Sequence, residues 1–357
     1  MRIYKLDGLR GIFSLMIVFF HYKENYLPDF MCQLFFIREC YTFVDFFFVL
    51  SGYVIAVNYH NKISDFSKFR NYIKKRFFRL FPLLFYTVTL TLIFDLIGNF
   101  YLPNLVKNVD EVSTLLMRYL DTLTFMNSTP VLGSSSGING VSWSISSEMI
   151  SYFVFGSVSL FAIGQKKNFV ILTVIIFCFL FSIYNGSHFN TGDYGFIRGL
   201  ISFNLGYFVW LLSLKKIKVN NYLEFLIPVF LLTMFYLMNN YMSGFNKQMF
   251  GLFVVPIFFS VSILLLLNTN GLITKVLNTK PLVFLGEISY SVYLNHAIFI
   301  LVGPKIIFNI LGLPQNTSTE IFVFLMIITT IIIYSKLTYV YVEKKGGQLL
   351  KKKLTKS

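Results

Sequence analysis

About ten stretches of this chain stay apolar long enough to cross a bilayer, a length of roughly 17–25 residues, and that limits what it can fold into. They lie near residues 8–23, 40–59, 78–97, 143–164, 169–185, 196–214, 221–239, 249–268, 282–304 and 319–342. Inside a bilayer every backbone N–H and C=O must find an internal partner, so runs of this length read as helices. The composition agrees. Of 357 residues, 55% are hydrophobic and only 13% charged, against about a quarter charged in soluble domains. The expected fold is an all-α polytopic transmembrane bundle of about ten helices, over residues 1–342, followed by a short basic cytoplasmic tail, 343–357.

A net charge of +15 raises the question of nucleic acid, but where the cations sit answers it differently. With the N-terminus in the cytoplasm and the runs alternating, about 24 basic residues fall inside and about 7 outside, which is the positive-inside bias of membrane proteins. The inside set is Arg2, Lys5 and Arg10, the cluster Lys62 to Arg79, Lys166 and Lys167, Lys215, Lys216 and Lys218, Lys275 and Lys280, and the tail from Lys336. Lys23, Arg38, Lys107, Arg118, Arg198, Lys247 and Lys305 fall outside. Both termini are therefore expected in the cytoplasm, with the bilayer as partner and no nucleic acid. The first run lacks a small-residue cleavage site after it and reads as a retained helix. Connections are short except the extracytoplasmic loop from Gly98 to Val141. Its apolar stretch Val112 to Met126 carries Arg118 and Asp121 and suits an interfacial or re-entrant helix. Gly133 to Gly140 reads as a flexible connector, and the tail as a solvated anchor.

Ionisable residues inside spans are costly and mark candidate sites. Arg10 and His21 lie 11 residues apart on the first run, close to three helical turns, so they share a face about 16 Å apart along the axis. A desolvated imidazole is held neutral and can accept a proton; the plain alternative for His21 is a structural histidine bonded to a neighbouring helix. Arg76 and Arg79, at i and i+3, present two guanidinium forks on one face, suited to phosphate oxygens, although basic residues also anchor ordinary spans. Trp143 fits an interfacial aromatic belt, and Glu148 lies more than one turn inward, where an acid needs a partner or a wet cavity. Asp45, before Phe46-Phe47-Phe48, and His296, in the ninth run, pose the same question. Three cysteines, Cys32, Cys40 and Cys178, have no motif spacing, so neither a disulfide framework nor a metal site is expected.

In order along the chain, these pieces resemble the membrane acyltransferase-3 family. The residues carrying the resemblance are Leu6-Asp7-Gly8-Leu9-Arg10-Gly11 with His21; Val44-Asp45-Phe46-Phe47-Phe48-Val49-Leu50-Ser51-Gly52; Arg76 and Arg79 before Pro82; Trp143-Ser144 with Glu148; and Ser289-Tyr290 through His296. The resemblance covers nearly the whole chain. It implies a protein of the bacterial cytoplasmic (inner) membrane that takes an acyl group, acetyl by default, from cytoplasmic acetyl-CoA. It passes that group to a hydroxyl of an extracytoplasmic or lipid-linked glycan, such as O-antigen, capsule or exopolysaccharide. Carried over, it assigns Arg10, Arg76 and Arg79 to the donor, His21 and Glu148 to catalysis, and Asp45, Ser51, Trp143 and His296 as further candidates. Glu148 is expected to orient His21 or the acceptor. Two departures stand out. Phe43 occupies a position often held by Gly, and no esterase-like domain follows the last run before Ser357.

A multi-span transporter or flippase for glycans or lipid-linked sugars, or a polysaccharide polymerase, would also carry buried His and Glu and a long outer loop. The cytoplasmic Arg-x-x-Arg beneath Arg10 favours a CoA enzyme.

Overall fold

The computed structural model describes residues 2–22, 26–102, 110–132, 137–215 and 218–354, without the side chains of 353 and 354. Lys23, Lys107 and Lys216 of the charge tally and residues 133–136 of the connector lie outside the described residues. Helices run in chain order as α1 (Tyr4–Tyr22), α2 (Phe43–Tyr59), α3 (Phe66–Tyr101), α4 (Val112–Leu123), α5 (Trp143–Phe161), α6 (Gln165–Tyr184), α7 (Gly195–Ser213), α8 (Leu226–Asn240), α9 (Gly244–Asn268), α10 (Lys280–Lys305), α11 (Thr317–Thr338) and α12 (Lys345–Leu354). No strand occurs among the described residues. Each expected run falls on one of the ten longer helices, all but α4 and α12.

Eight helical segments are long and apolar enough to span by themselves, and α1 and α5 are not among them. The reason is chemical. α1 carries Lys5, Asp7, Arg10 and His21, and α5 carries Glu148 among a run of serines. These two helices are kept within the bundle by their neighbours rather than by apolarity, and both bear candidate site residues.

Glycines set the tightest crossings. A Cβ on Gly8 would lie 2.0 Å from the Leu277 carbonyl oxygen, and one on Gly286 only 1.9 Å from that of Asp7. The backbones of α1 and α10 therefore touch, as small residues permit in membrane bundles. Gly52 and Gly206 do the same for α2 and α7, with virtual Cβ distances of 1.8 Å to the Phe203 oxygen and 2.0 Å to the Val49 oxygen. Phe43, in place of the family's usual glycine, stacks on Phe13 with ring centroids 3.9 Å apart, so an aromatic contact joins α1 and α2 there.

α4 forms within the long loop as expected and lies along α3. The tail departs from a solvated anchor. After α11 the backbone widens into a π-helical turn, Tyr339–Lys344, and α12 docks on α3. Pro82 has no N–H, which removes the bond that the Phe78 carbonyl would accept. Gly346 and Gly347 pack at that point, against the Pro82 ring and the Phe78 oxygen. Arg2 bonds Glu287 at 2.6 Å and Glu343 accepts from Ser291 at 2.9 Å, so both chain ends lie at the end of the bundle where α10 begins.

Candidate active site

At that end, α1, α2, α3, α5 and α10 surround a cavity lined by Arg10, Arg76, Arg79, Ser51, Glu148, Tyr152, Ser289, Tyr290 and Tyr293. The space between these helices, open mouth included, is about 910 Å³. Each arginine is held differently. Arg10 donates to the Ser289 hydroxyl at 3.1 Å and lies 3.7 Å from Asp7. Arg76 donates to the Tyr59 hydroxyl at 3.2 Å, with its guanidinium 5.2 Å from the Tyr59 ring and 5.9 Å from that of Tyr152. Arg79 follows one turn later and faces the same space. Below the membrane-embedded part, Arg2 is held still more firmly in its charged form by its hydrogen bonds to Asp7 and Glu287.

Glu148 lies on the arginine side. Its Oε1 accepts from Ser51 at 2.6 Å and from the Tyr152 hydroxyl, and Ser51 and Tyr152 are 2.9 Å apart. The expected contact between Glu148 and His21 is absent among the described residues. The acid instead balances the arginine cluster and binds Ser51, which is how the structure accommodates a carboxylate at this depth.

His21 lies three turns along α1 from Arg10, is half-buried and contacts α10. Its Nδ1 is 2.9 Å from the Ile17 oxygen and 3.2 Å from Nε2 of His296. His296 is 0% exposed, and its Nδ1 is 3.2 Å from the Val292 oxygen. Neither histidine lines the arginine cavity. Tyr293, which does, has its ring 5.8 Å from that of His296 and donates to the Val141 oxygen at 3.0 Å. A row of side chains therefore leads from the arginines through Tyr293 to His296 and His21.

Two candidates belong elsewhere. Asp45 is 0% exposed and does not line the cavity. It binds Arg198 at 2.6 Å and Ser202 at 2.8 Å, joining α2 to α7. The cause is that Arg198, which the charge tally places in an outer segment, is 2% exposed within α7 and needs a buried counter-charge. Trp143 is 4% exposed, packed within the bundle, and its ring lies 5.5 Å from the Arg198 guanidinium. Sequence reasoning passed over Tyr152, Tyr290, Tyr293 and Glu343. Tyr152 stands four residues after Glu148, the spacing that brings side chains together on a helix. Tyr290 and Tyr293 lie inside the motif that ends at His296, and Tyr290 bonds the Leu80 oxygen at 2.8 Å beside Arg79.

The family profile for the acyltransferase domain matches residues 3–338. The chain belongs to the acyltransferase-3 family. The chain is 24% identical to the O-acetyltransferase OatA of Staphylococcus aureus strain NCTC 8325 / PS 47, over 96% of this chain and 57% of that protein. It is equally similar to OatA of strain COL. A further relative, protein 2 in picA locus of Rhizobium radiobacter, is 32% identical over 31% of this chain and 54% of its own length. The chain thus spans 57% of the length of its OatA relatives. No solved structure matches it.

Proposed function

We propose that this membrane acyltransferase moves an acetyl group from cytoplasmic acetyl-CoA to a hydroxyl of an extracytoplasmic glycan, in the bacterial inner membrane. The observation that carries the reading is an arginine-lined cavity whose wall residue Tyr293 stands beside His296, which in turn contacts the half-buried His21. Arg10, Arg76 and Arg79 suit phosphate oxygens through charge-assisted bonds. Their end of the bundle holds both chain termini, which the basic-residue distribution assigns to the cytoplasm. The thioester arm then extends past Tyr293 toward His21. OatA's name supplies the O-acetyl specificity of the reading.

In the reaction, the acceptor oxygen attacks the thioester carbonyl carbon, a C–O bond forms and the C–S bond breaks. His21 takes the hydroxyl proton as general base, and the coenzyme A thiolate leaves and is protonated. A second route has His21 carry the acyl group transiently as nucleophile. In both, His296 fixes the ring of His21 through the 3.2 Å contact.

The test is His21→Ala in membranes supplied with labelled acetyl-CoA. Transfer to glycan should fall by at least about 10²-fold, the usual yield of a positioned acid–base group, with membrane insertion unchanged. Undiminished glycan acylation removes His21 from the mechanism. A transporter would move its substrate without consuming acetyl-CoA, so release of CoA separates the classes.

A further inference from the structure

The tail helix α12 meets the bundle where the chain leaves the bilayer. α3 has 36 residues, about 54 Å of helix, whereas the hydrocarbon core is about 30 Å thick. Its apolar run starts near residue 78, so the turns before Phe78 project past the hydrocarbon on the side of the chain termini. α12 crosses α3 at this level, with Gly347 against the Phe78 oxygen. It follows α11 through the turn Tyr339–Lys344, which ties it to that membrane boundary. The charge here is of one sign. α3 contributes Lys74 and Lys75, and α12 exposes Lys345, Lys351 and Lys352. No Asp or Glu occurs from residue 66 to 82 or from 344 to 354. Next to these cations in the chain, Leu349 is 65% and Tyr341 60% exposed.

A soluble polyanion would use the lysines and leave Leu349 and Tyr341 in water. An anionic leaflet takes both, with apolar side chains in the boundary below the headgroups and lysines on the phosphates. Glu343 carries the consequence inward. It lies in the turn just before α12 and accepts from Ser291 of α10 at 2.9 Å. The residues before Ser291 are cavity wall: Ser289 accepts from Arg10, and Tyr290 bonds the Leu80 oxygen beside Arg79. We propose that α12, with Lys74 and Lys75, is a docking surface for anionic phospholipid headgroups, and that docking holds Glu343 on Ser291 and so keeps the arginine cavity in its donor-binding form. The docking stands on the pattern of charge and apolar exposure, and its effect on the donor rests on the acyltransferase reading above.

The experiment uses the full chain in nanodiscs of phosphatidylcholine, alone or mixed equally with phosphatidylglycerol. Leu349→Cys, in a Cys32→Ser background, carries an environment-sensitive nitrobenzoxadiazole label; Cys40 and Cys178 are buried. Without acetyl-CoA, the emission should shift to the blue in phosphatidylglycerol discs, and concentrated salt should reverse the shift. Lys351→Glu with Lys352→Glu should abolish the shift, and Lys351→Arg with Lys352→Arg should keep it. With acetyl-CoA, the double Glu variant should raise KM about fivefold in phosphatidylglycerol discs, the low end of coupling between sites, and leave it unchanged in phosphatidylcholine. An unshifted label, or a shift that survives the double Glu variant, overturns the docking. A KM that the variant leaves unchanged in both discs overturns the effect on the donor. An equal rise in both makes the lysines direct contacts of a soluble anion and overturns the lipid assignment. A normal blue shift with no release of CoA in any disc would refute the enzyme reading and leave the docking standing.

Discussion

Asp45 shows how a residue can look functional in sequence and be structural in the fold. A carboxylate beside three phenylalanines invites a catalytic role, and Arg198 lies 153 positions away, with nothing in the chain to link the two. Breaking a buried pair leaves an uncompensated charge, so Asp45→Ala should destabilise the protein by about 3–5 kcal/mol. In thermal unfolding of detergent-solubilised protein the loss should appear as a lower Tm, while the folded fraction retains its KM for acetyl-CoA. His188 faces the same pair, 3.7 Å from Asp45, in the segment between α6 and α7. Burial lowers its proton affinity, with Asp45 opposing and Arg198 reinforcing that shift. The folded state then binds fewer protons than the unfolded chain, so the stability this group contributes is present above the ordinary histidine range, about pH 6.5, and lost as pH falls below it. His188→Gln should flatten that part of the Tm–pH curve. By contrast, Arg10, Arg76, Arg79 and Glu148 were legible from sequence, because an ionisable group in a span must face something polar.

At the scale of elements, apolar run length located the ten long helices because bilayer thickness fixes that length. Their pairing was not legible, since apolar faces look alike in lipid and the crossing is set by small residues. The glycines of α1 decide it. Gly8→Val should push α1 away from the short helix Leu272–Leu277 that leads into α10, because its side chain would meet the Leu277 carbonyl. The expected outcome is loss of acetyl transfer together with protease sensitivity in α1, checked by limited proteolysis of membranes. The tail departs from a solvated anchor because Pro82, inside the continuous helix α3, leaves the Phe78 carbonyl without its helical partner. A freed carbonyl and two glycines make a seat for α12 that charge counting does not reveal. Glu343 reaches Ser291 from this segment. Removing residues 345–357 should therefore raise the KM for acetyl-CoA several-fold, by about 1 kcal/mol in binding, whereas a solvated anchor would leave it unchanged.

Across the whole molecule, single cysteines placed near Arg2 and at Lys352 should both be shielded from a membrane-impermeant maleimide in intact cells and react after permeabilisation, as the positive-inside distribution requires. Labelling of either in intact cells would invert the assignment of donor and acceptor sides. The family was legible in the order of motifs, but the gathering of Arg10, Arg76 and Arg79 around one cavity emerges only in three dimensions. One consequence concerns reach. Arg10 bonds α10 at Ser289, and His21 meets the same helix at His296. Anchored twice to one partner, α1 works as a ruler: about 16 Å of its axis lies between the two residues, and their contacts on α10, seven residues apart, lie about 10 Å from each other. Under the proposed function a donor would bridge that gap while its phosphates stay clamped, which suits a long, slender carrier. Acetyl phosphate, whose acyl group is joined directly to its anion, should then fail to replace acetyl-CoA in the transfer assay.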